Sequence, residues 1–156
     1  FMTEKQSFHA FFIVLATFIA VMVNTLLVTN SELPVILIFS AMLLNTTLAL
    51  SFLFAYLKTT YSKQGISISF FPFMLRKRTI EWKDILSVEI RSYSPLKEFK
   101  GWGVRFSKNG RAYTTQGKIG LQIELKDKQK ILIGTQKADD LADYINQLYK
   151  EGIIIK

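Results

Sequence analysis

The chain has 156 residues, a formal net charge of +8 and no cysteine, which excludes disulfides, thiolate metal sites and a cysteine nucleophile. That length holds one helical hairpin and one small domain, and no more. The charge is uneven. Through Leu57 the only charges are Glu4, Lys5 and Glu32, a net of −1, whereas from Lys58 onward 19 Lys/Arg stand against 10 Asp/Glu, a net of +9.

Phe1 ahead of Met2 is set aside as a leftover of processing, and residues 1–8 read as a short N-terminal tail. Two apolar runs follow, Ala10 to Val28 and Pro34 to Leu57, separated by Thr29-Asn30-Ser31-Glu32-Leu33. Neither run contains an Asp, Glu, Lys or Arg. Each is long enough to cross the ~30 Å hydrocarbon core, which takes about 20 helical residues. The first run is longer than a signal-peptide core and no A-x-A-like site follows Val28, so residues 9–57 read as a transmembrane hairpin. His9, the only histidine, falls at the membrane interface and reads as incidental there rather than as a ligand or base. The turn between the runs has no Lys or Arg, while Lys5, Lys58 and Lys63 flank the hairpin. Positive residues stay inside, so both termini and the soluble part are expected on the cytoplasmic face.

The spans hold a few polar groups, chiefly Asn24 and Asn45. Helical rise places Asn24 about 22 Å from His9 and Asn45 about 18 Å from Leu57, so the two amides reach similar depth on antiparallel helices. They serve either as a polar patch for a partner's membrane helices or, more simply, the packing of the hairpin on itself. No intramembrane carboxylate or Arg marks an ion or proton path.

After Thr59 the hydrophobic period becomes two. Ile66-Ser67-Ile68-Ser69-Phe70, Leu86-Ser87-Val88-Glu89-Ile90-Arg91 and Ile119-Gly120-Leu121-Gln122-Ile123-Glu124-Leu125 alternate as antiparallel strands with one wet face. Strands are expected near 60–64, 66–71, 74–80, 85–93, 103–107, 111–115, 119–126 and 129–134, some of them merging, with a type I′ hairpin at Asn109-Gly110. Ala138, Leu141, Tyr144, Ile145 and Leu148 then share one helical face. Thr135 is the expected cap, Asp139 and Asp140 favour the first turn, Lys150 the last, and Gly152 ends the helix. About seven antiparallel strands followed by one amphipathic helix is the order of a pleckstrin-homology-like (PH-like) barrel plugged by its C-terminal helix. The fold class is therefore α+β: a two-helix transmembrane hairpin, then a PH-like domain over 58–156.

One stretch carries a family resemblance. Arg91-Ser92-Tyr93-Ser94-Pro95-Leu96-Lys97-Glu98-Phe99-Lys100-Gly101-Trp102-Gly103-Val104-Arg105 leads to Ala112-Tyr113, Gly117, Gly120-Leu121-Gln122-Ile123 and Leu132-Ile133-Gly134-Thr135-Gln136-Lys137. Over roughly residues 80–140 this resembles a bacterial family of small, mostly uncharacterised membrane proteins whose soluble part looks PH-like. That family has Gly-Gly-Trp-Gly where this chain has Lys100-Gly101-Trp102-Gly103, and an Asn-led turn where it has Thr114-Thr115-Gln116. The resemblance implies a PH-like fold and a bacterial cytoplasmic membrane setting. It implies no known reaction.

Two constellations are candidates for binding. Trp102, Arg105, Tyr93 and Tyr113 would form an amphipathic recognition face, the residue types that dominate interface hot spots. The structural alternative is a corner in which Trp102 plugs the barrel and Glu98 pairs with Arg105. Phe71 and Phe73 beside Arg76, Lys77 and Arg78 have the make-up of a hairpin dipping into anionic lipid, with core packing of alternate Phe residues as the alternative. No nucleophile elbow, zinc-protease motif, P-loop or dinucleotide fingerprint occurs, and Asp139, Asp140 and Asp143 read as surface charge. No cofactor, metal or nucleic-acid partner is expected. The expected function is a non-catalytic accessory module that binds or regulates an integral-membrane protein, with anionic-lipid sensing as the alternative.

Overall fold

The computed structural model describes every residue except His9, Asn30, Ser31, Leu75, Ile155 and Lys156. The interfacial placement of His9, the Asn30-Ser31 part of the turn and the Leu75 end of the phenylalanine-rich segment thus lie outside the described residues. The chain divides into two compact units, Phe8–Ala55 and Phe1–Ser7 with Tyr56–Lys156.

The first unit is a pair of 20-residue helices, α1 (Ala10–Thr29) and α2 (Val35–Phe54), each long and apolar enough to cross a membrane. Pro34 precedes α2 at φ −54°, and its carbonyl accepts from the Leu37 and Ile38 amides, which starts the helix without a side-chain cap. Hydroxyls turn back on their own helix: Thr17, Thr25, Ser40 and Thr47 donate to carbonyls four residues earlier at 2.7–2.9 Å. A bilayer supplies no water for such groups, so this internal satisfaction suits an apolar solvent. The second run ends earlier than expected. Ala55 is extended at φ −70°, ψ 129°, and Leu57 is fully buried in a strand. Leu57 alternates with Thr59 and Tyr61 toward a sheet core, so its hydrophobicity belongs to the unit that contains Tyr56–Lys156.

That unit contains two sheets. The first runs in the order β1 (Met2–Ser7), β2 (Tyr56–Tyr61), β3 (Gly65–Phe71), β4 (Arg78–Glu81), antiparallel throughout. The segment expected as an N-terminal tail is therefore an edge strand, paired with β2 from Met2↔Tyr61 to Ser7↔Tyr56. The hairpin is inserted between two neighbouring strands of one sheet. Its inner face is Leu57, Tyr61, Ile66, Ile68, Phe70 and Ile80, with Glu4 and Gln6 added by β1.

The second sheet consists of β5 (Ile85–Ser92), β6 (Gly103–Ser107), β7 (Gly110–Thr114), β8 (Ile119–Leu125) and β9 (Lys130–Gly134), in the order β5-β8-β9-β7-β6. β7 and β9 run parallel, because the chain crosses from β7 through β8 before returning beside it; the other pairings are antiparallel. The described strands form two open sheets and close no barrel. Ile131, Leu132 and Ile133 are all buried, so β9 is covered on both faces. Each such side chain contributes about 1.5–3 kcal/mol relative to exposure.

Helix α4 (Ala138–Lys150) buries Leu141, Ile145 and Leu148, the face its periodicity marks. Gly152, at φ 71°, ends it: its amide and that of Ile153 bond to Tyr149 and Leu148. Thr135 does not cap it. The Thr135 hydroxyl accepts from the Lys137 amide just upstream and is committed elsewhere as a donor.

Candidate functional site

A five-residue helix, α3 (Pro95–Phe99), leads from β5 to β6. Pro95 pre-sets the first turn, and the helix stops at Lys100 in the left-handed conformation, φ 58°, with Gly101 at φ 125° and Gly103 at φ 107° beyond it. These three conformations explain the Gly-rich pattern around Trp102. Phe99 packs with Tyr93, Ala112 and Leu132 in one buried cluster. The Tyr93 and Phe99 rings meet edge to face at 6.3 Å.

Glu98 does not pair with Arg105. It pairs with Arg91, whose Nη2 donates to Glu98 Oε2 at 2.8 Å, while Arg91 Nη2 and Nε also donate to Gln122 Oε1 at 2.9 and 3.2 Å. Arg91 stands near the end of β5, four residues before Pro95, in reach of Glu98, whereas Arg105 lies beyond the turn and gives its Nε to the Trp102 carbonyl at 2.9 Å. Glu98 Oε1 also accepts from the Ser94 amide at 2.7 Å, which tethers the start of α3. The Arg91 hydrogen bonds hold the Glu98 carboxyl below its ordinary range; partial desolvation opposes them and the Ser94 amide helps. This network was missed from sequence, although Arg91 and Gln122 occupy polar positions of their alternating strands.

The recognition face expected around Trp102 divides. Tyr93 and Tyr113 are 4% and 1% exposed, part of the core, and burial pushes the Tyr93 phenol up to about 12. Trp102 is half-buried and donates its indole N–H to the Gly117 carbonyl at 3.2 Å; Arg105 is exposed. Trp102 therefore sits at an end of an open sheet rather than in a barrel. Beside it in the topology are two exposed apolar side chains, Leu96 on α3 at 66% and Ile119 at the start of β8 at 41%. Ile119 pairs with Ser92, and the Tyr93 amide bonds to the Lys118 carbonyl, which draws these residues to one end of the sheet.

The Phe71–Arg78 segment connects β3 and β4. Phe71 and Phe73 are about half exposed, Arg76 and Lys77 are exposed, and Arg78 is half-buried with Nη1 3.5 Å from the Tyr113 hydroxyl. Phe71 pairs with Tyr56, the first residue of β2, and their rings stack at 5.7 Å. Phe70 and Phe73 meet edge to face at 5.4 Å.

β1 carries a polar clamp that has no signature in the sequence. Glu4 and Gln6 are each 3% exposed. Glu4 Oε2 accepts from the Thr135 hydroxyl at 2.8 Å and Oε1 from the Gln136 amide at 2.7 Å. Gln6 donates to the Gly134 carbonyl at 2.7 Å and accepts from the Thr115 hydroxyl at 3.1 Å. Burial first, and the Glu4 charge second, raise the Tyr61 phenol well above its ordinary value.

In the helical unit Asn45 Nδ2 donates to Asn24 Oδ1 and to the Ala20 carbonyl, both at 3.0 Å, and Asn24 Nδ2 donates to Thr46 at 3.2 Å. The two amides meet at one depth, and their hydrogen bonds are spent within the hairpin.

Among the described residues no group of three or more His, Cys, Asp or Glu side chains is placed to hold a metal ion. No protein-family model, curated protein or solved structure matches the chain.

Proposed function

We propose that this is a membrane-anchored, non-catalytic accessory module that binds or regulates another membrane protein. In this reading α1 and α2 span the bacterial cytoplasmic membrane, both termini face the cytoplasm, and the soluble unit is a PH-like domain left open between its two sheets. The observation that carries the reading is one end of the second sheet, where Leu96 and Ile119 are exposed and Trp102, bonded to Gly117 two residues before Ile119, accepts at its carbonyl from exposed Arg105. Exposed aliphatic groups around an anchored Trp are the make-up of an interface hot spot. Thr115, in the turn next to Gly117, is bonded to Gln6, the penultimate residue of β1. A photo-crosslinking residue at Leu96 tests this in intact cells: the reading requires one dominant adduct to an integral-membrane protein, and adducts only to lipid or to scattered proteins contradict it.

A second reading rests on the Tyr56–Phe71 stack. Phe71 and Phe73 are exposed where β2 takes up the chain from the hairpin, with Arg76 and Lys77 close behind. That arrangement favours contact with anionic lipid, each cation near the surface adding about 1 kcal/mol. Replacing Arg76 and Lys77 with Glu should then reduce association of the full-length protein with anionic lipid.

A further inference from the structure

The opposite end of the second sheet has a different character. The β6–β7 hairpin forms at Lys108-Asn109, but only Gly110 takes a positive φ, 106°, so the turn is not type I′. A Cβ on Gly110 would lie 2.2 Å from the Lys130 carbonyl, which presses this hairpin against the start of β9. The β8–β9 turn approaches the same place, with Lys128 in the left-handed conformation at φ 67° and Asp127 accepting from the Gln129 amide. Between the two turns lies a groove of about 360 Å³. Lys108, Arg111, Lys128 and Lys130 line it, no carboxylate does, and among the described residues none of the four is in an ion pair. Phe106 stands at its rim, 68% exposed, with the Arg111 guanidinium 4.6 Å from its ring centroid.

Four cations around one groove repel each other. Glu124, opposite Lys130 in the β8–β9 register, lines the adjoining groove with Glu89, Lys108 and Lys130 but, among the described residues, forms no ion pair with them, and Arg111 Nη1 donates to the Tyr113 hydroxyl at 3.5 Å. We propose that the groove binds a phosphate ester, with Lys108, Lys128 and Lys130 and the Arg111 fork on the phosphate oxygens. Multiply charged phosphate matches this donor set better than a single carboxylate, because Lys supplies point charge and Arg a planar pair of donors. The open side of Phe106 is left for the organic part of the ligand. The phosphate comes either from a soluble phosphorylated compound or from a lipid headgroup. The site is separate from the Trp102 end and does not depend on it.

Lysine acetylation read by mass spectrometry on the full-length protein in discs tests this. The first probe is inorganic pyrophosphate with neutral phosphatidylcholine discs; the second is discs doped with phosphatidic acid and no added phosphate. The expected result is saturable, several-fold protection of Lys108, Lys128 and Lys130 relative to Lys97 and Lys118, exposed lysines at the other end of the sheet. Protection by pyrophosphate assigns a soluble ligand, and protection only by the doped discs assigns a headgroup; either supports the proposal. The paired variant Lys108→Gln, Lys128→Asn, in which Asn tolerates the left-handed turn, should abolish the protection of Lys130 without changing the unfolding temperature. Equal slowing of all lysines, protection by an acidic peptide alone, or unchanged Lys130 protection in the variant overturns it.

Discussion

Glu4 and Thr135 are 131 residues apart in the chain, and the Thr135 hydroxyl donates to the Glu4 carboxylate at 2.8 Å. The bond ties the strand that enters the helical hairpin to the segment that enters the last helix. Glu4→Ala leaves the Thr135 hydroxyl and the Gln136 amide without their acceptor, at a cost of about 1–3 kcal/mol. Glu4→Gln, whose carbonyl can still accept, should cost less. Thermal unfolding of the detergent-solubilised protein measures both, and equal stability of Glu4→Ala and the parent protein would remove the clamp from the account.

This relationship also marks the limit of what the sequence reveals. Strands β3 and β8 and helix α4 follow from periodicity, because one face of each is apolar, and β9 from its short apolar run Ile131-Leu132-Ile133; in β5 a bulge between Ile85 and Ser87 breaks the alternation and leaves Leu86 exposed. β1 does not, because Met2-Thr3-Glu4-Lys5-Gln6-Ser7 turns Glu and Gln inward, and their partners lie at Gly134–Gln136. The Asn24–Asn45 contact was legible from helical rise alone, since both residues sit on fixed rods. Exposure was not: Tyr93, Tyr113 and Trp102 look equally eligible in a string of letters, yet Tyr93 packs with Phe99, Ala112 and Leu132, Tyr113 is buried and Trp102 only half-buried. The basic groove was hidden because its four cations come from two turns, Lys108 and Lys128, and from the first residues of the strands after them, Arg111 and Lys130, which nothing in the sequence brings together.

Lys100 ends α3 at φ 58°, a conformation that costs a side-chain-bearing residue roughly 1 kcal/mol and costs Gly almost nothing. Lys100→Gly should therefore stabilise the protein by about 0.5 kcal/mol, the gain reduced by the extra freedom of Gly in the unfolded chain. A lower unfolding temperature in this variant would show that Lys100 makes an interaction the backbone argument omits.

Asn24→Leu and Asn45→Leu should each weaken the hairpin, and a double-mutant cycle should return a coupling of about 0.6–2 kcal/mol. Steric-trap or denaturant unfolding in micelles supplies the four stabilities. Strict additivity would mean that the amides act independently.

Glu98 makes stability pH-dependent in a stated direction. Its carboxyl is held below the ordinary range in the folded protein, so the unfolded chain binds that proton more readily. The stabilisation is present above the unfolded value of about 4.3 and fades as pH falls through it toward the folded value. Arg91→Gln removes the main cause, so its unfolding temperature should fall less than that of the parent between about pH 5 and pH 3. Parallel acid profiles would show that the Arg91–Glu98 pair does not set the shift.

The central claim is that the Trp102 end of the second sheet meets another membrane protein. The most direct measurement is extraction of the full-length protein from its own membranes into polymer discs, with quantitative mass spectrometry of what accompanies it. It should be run in parallel on Leu96→Glu, a substitution at a position 66% exposed. The expected result is one near-stoichiometric integral-membrane companion that is lost in Leu96→Glu while the unfolding temperature is unchanged. A protein that emerges alone, or a companion that survives the charge at Leu96, contradicts it.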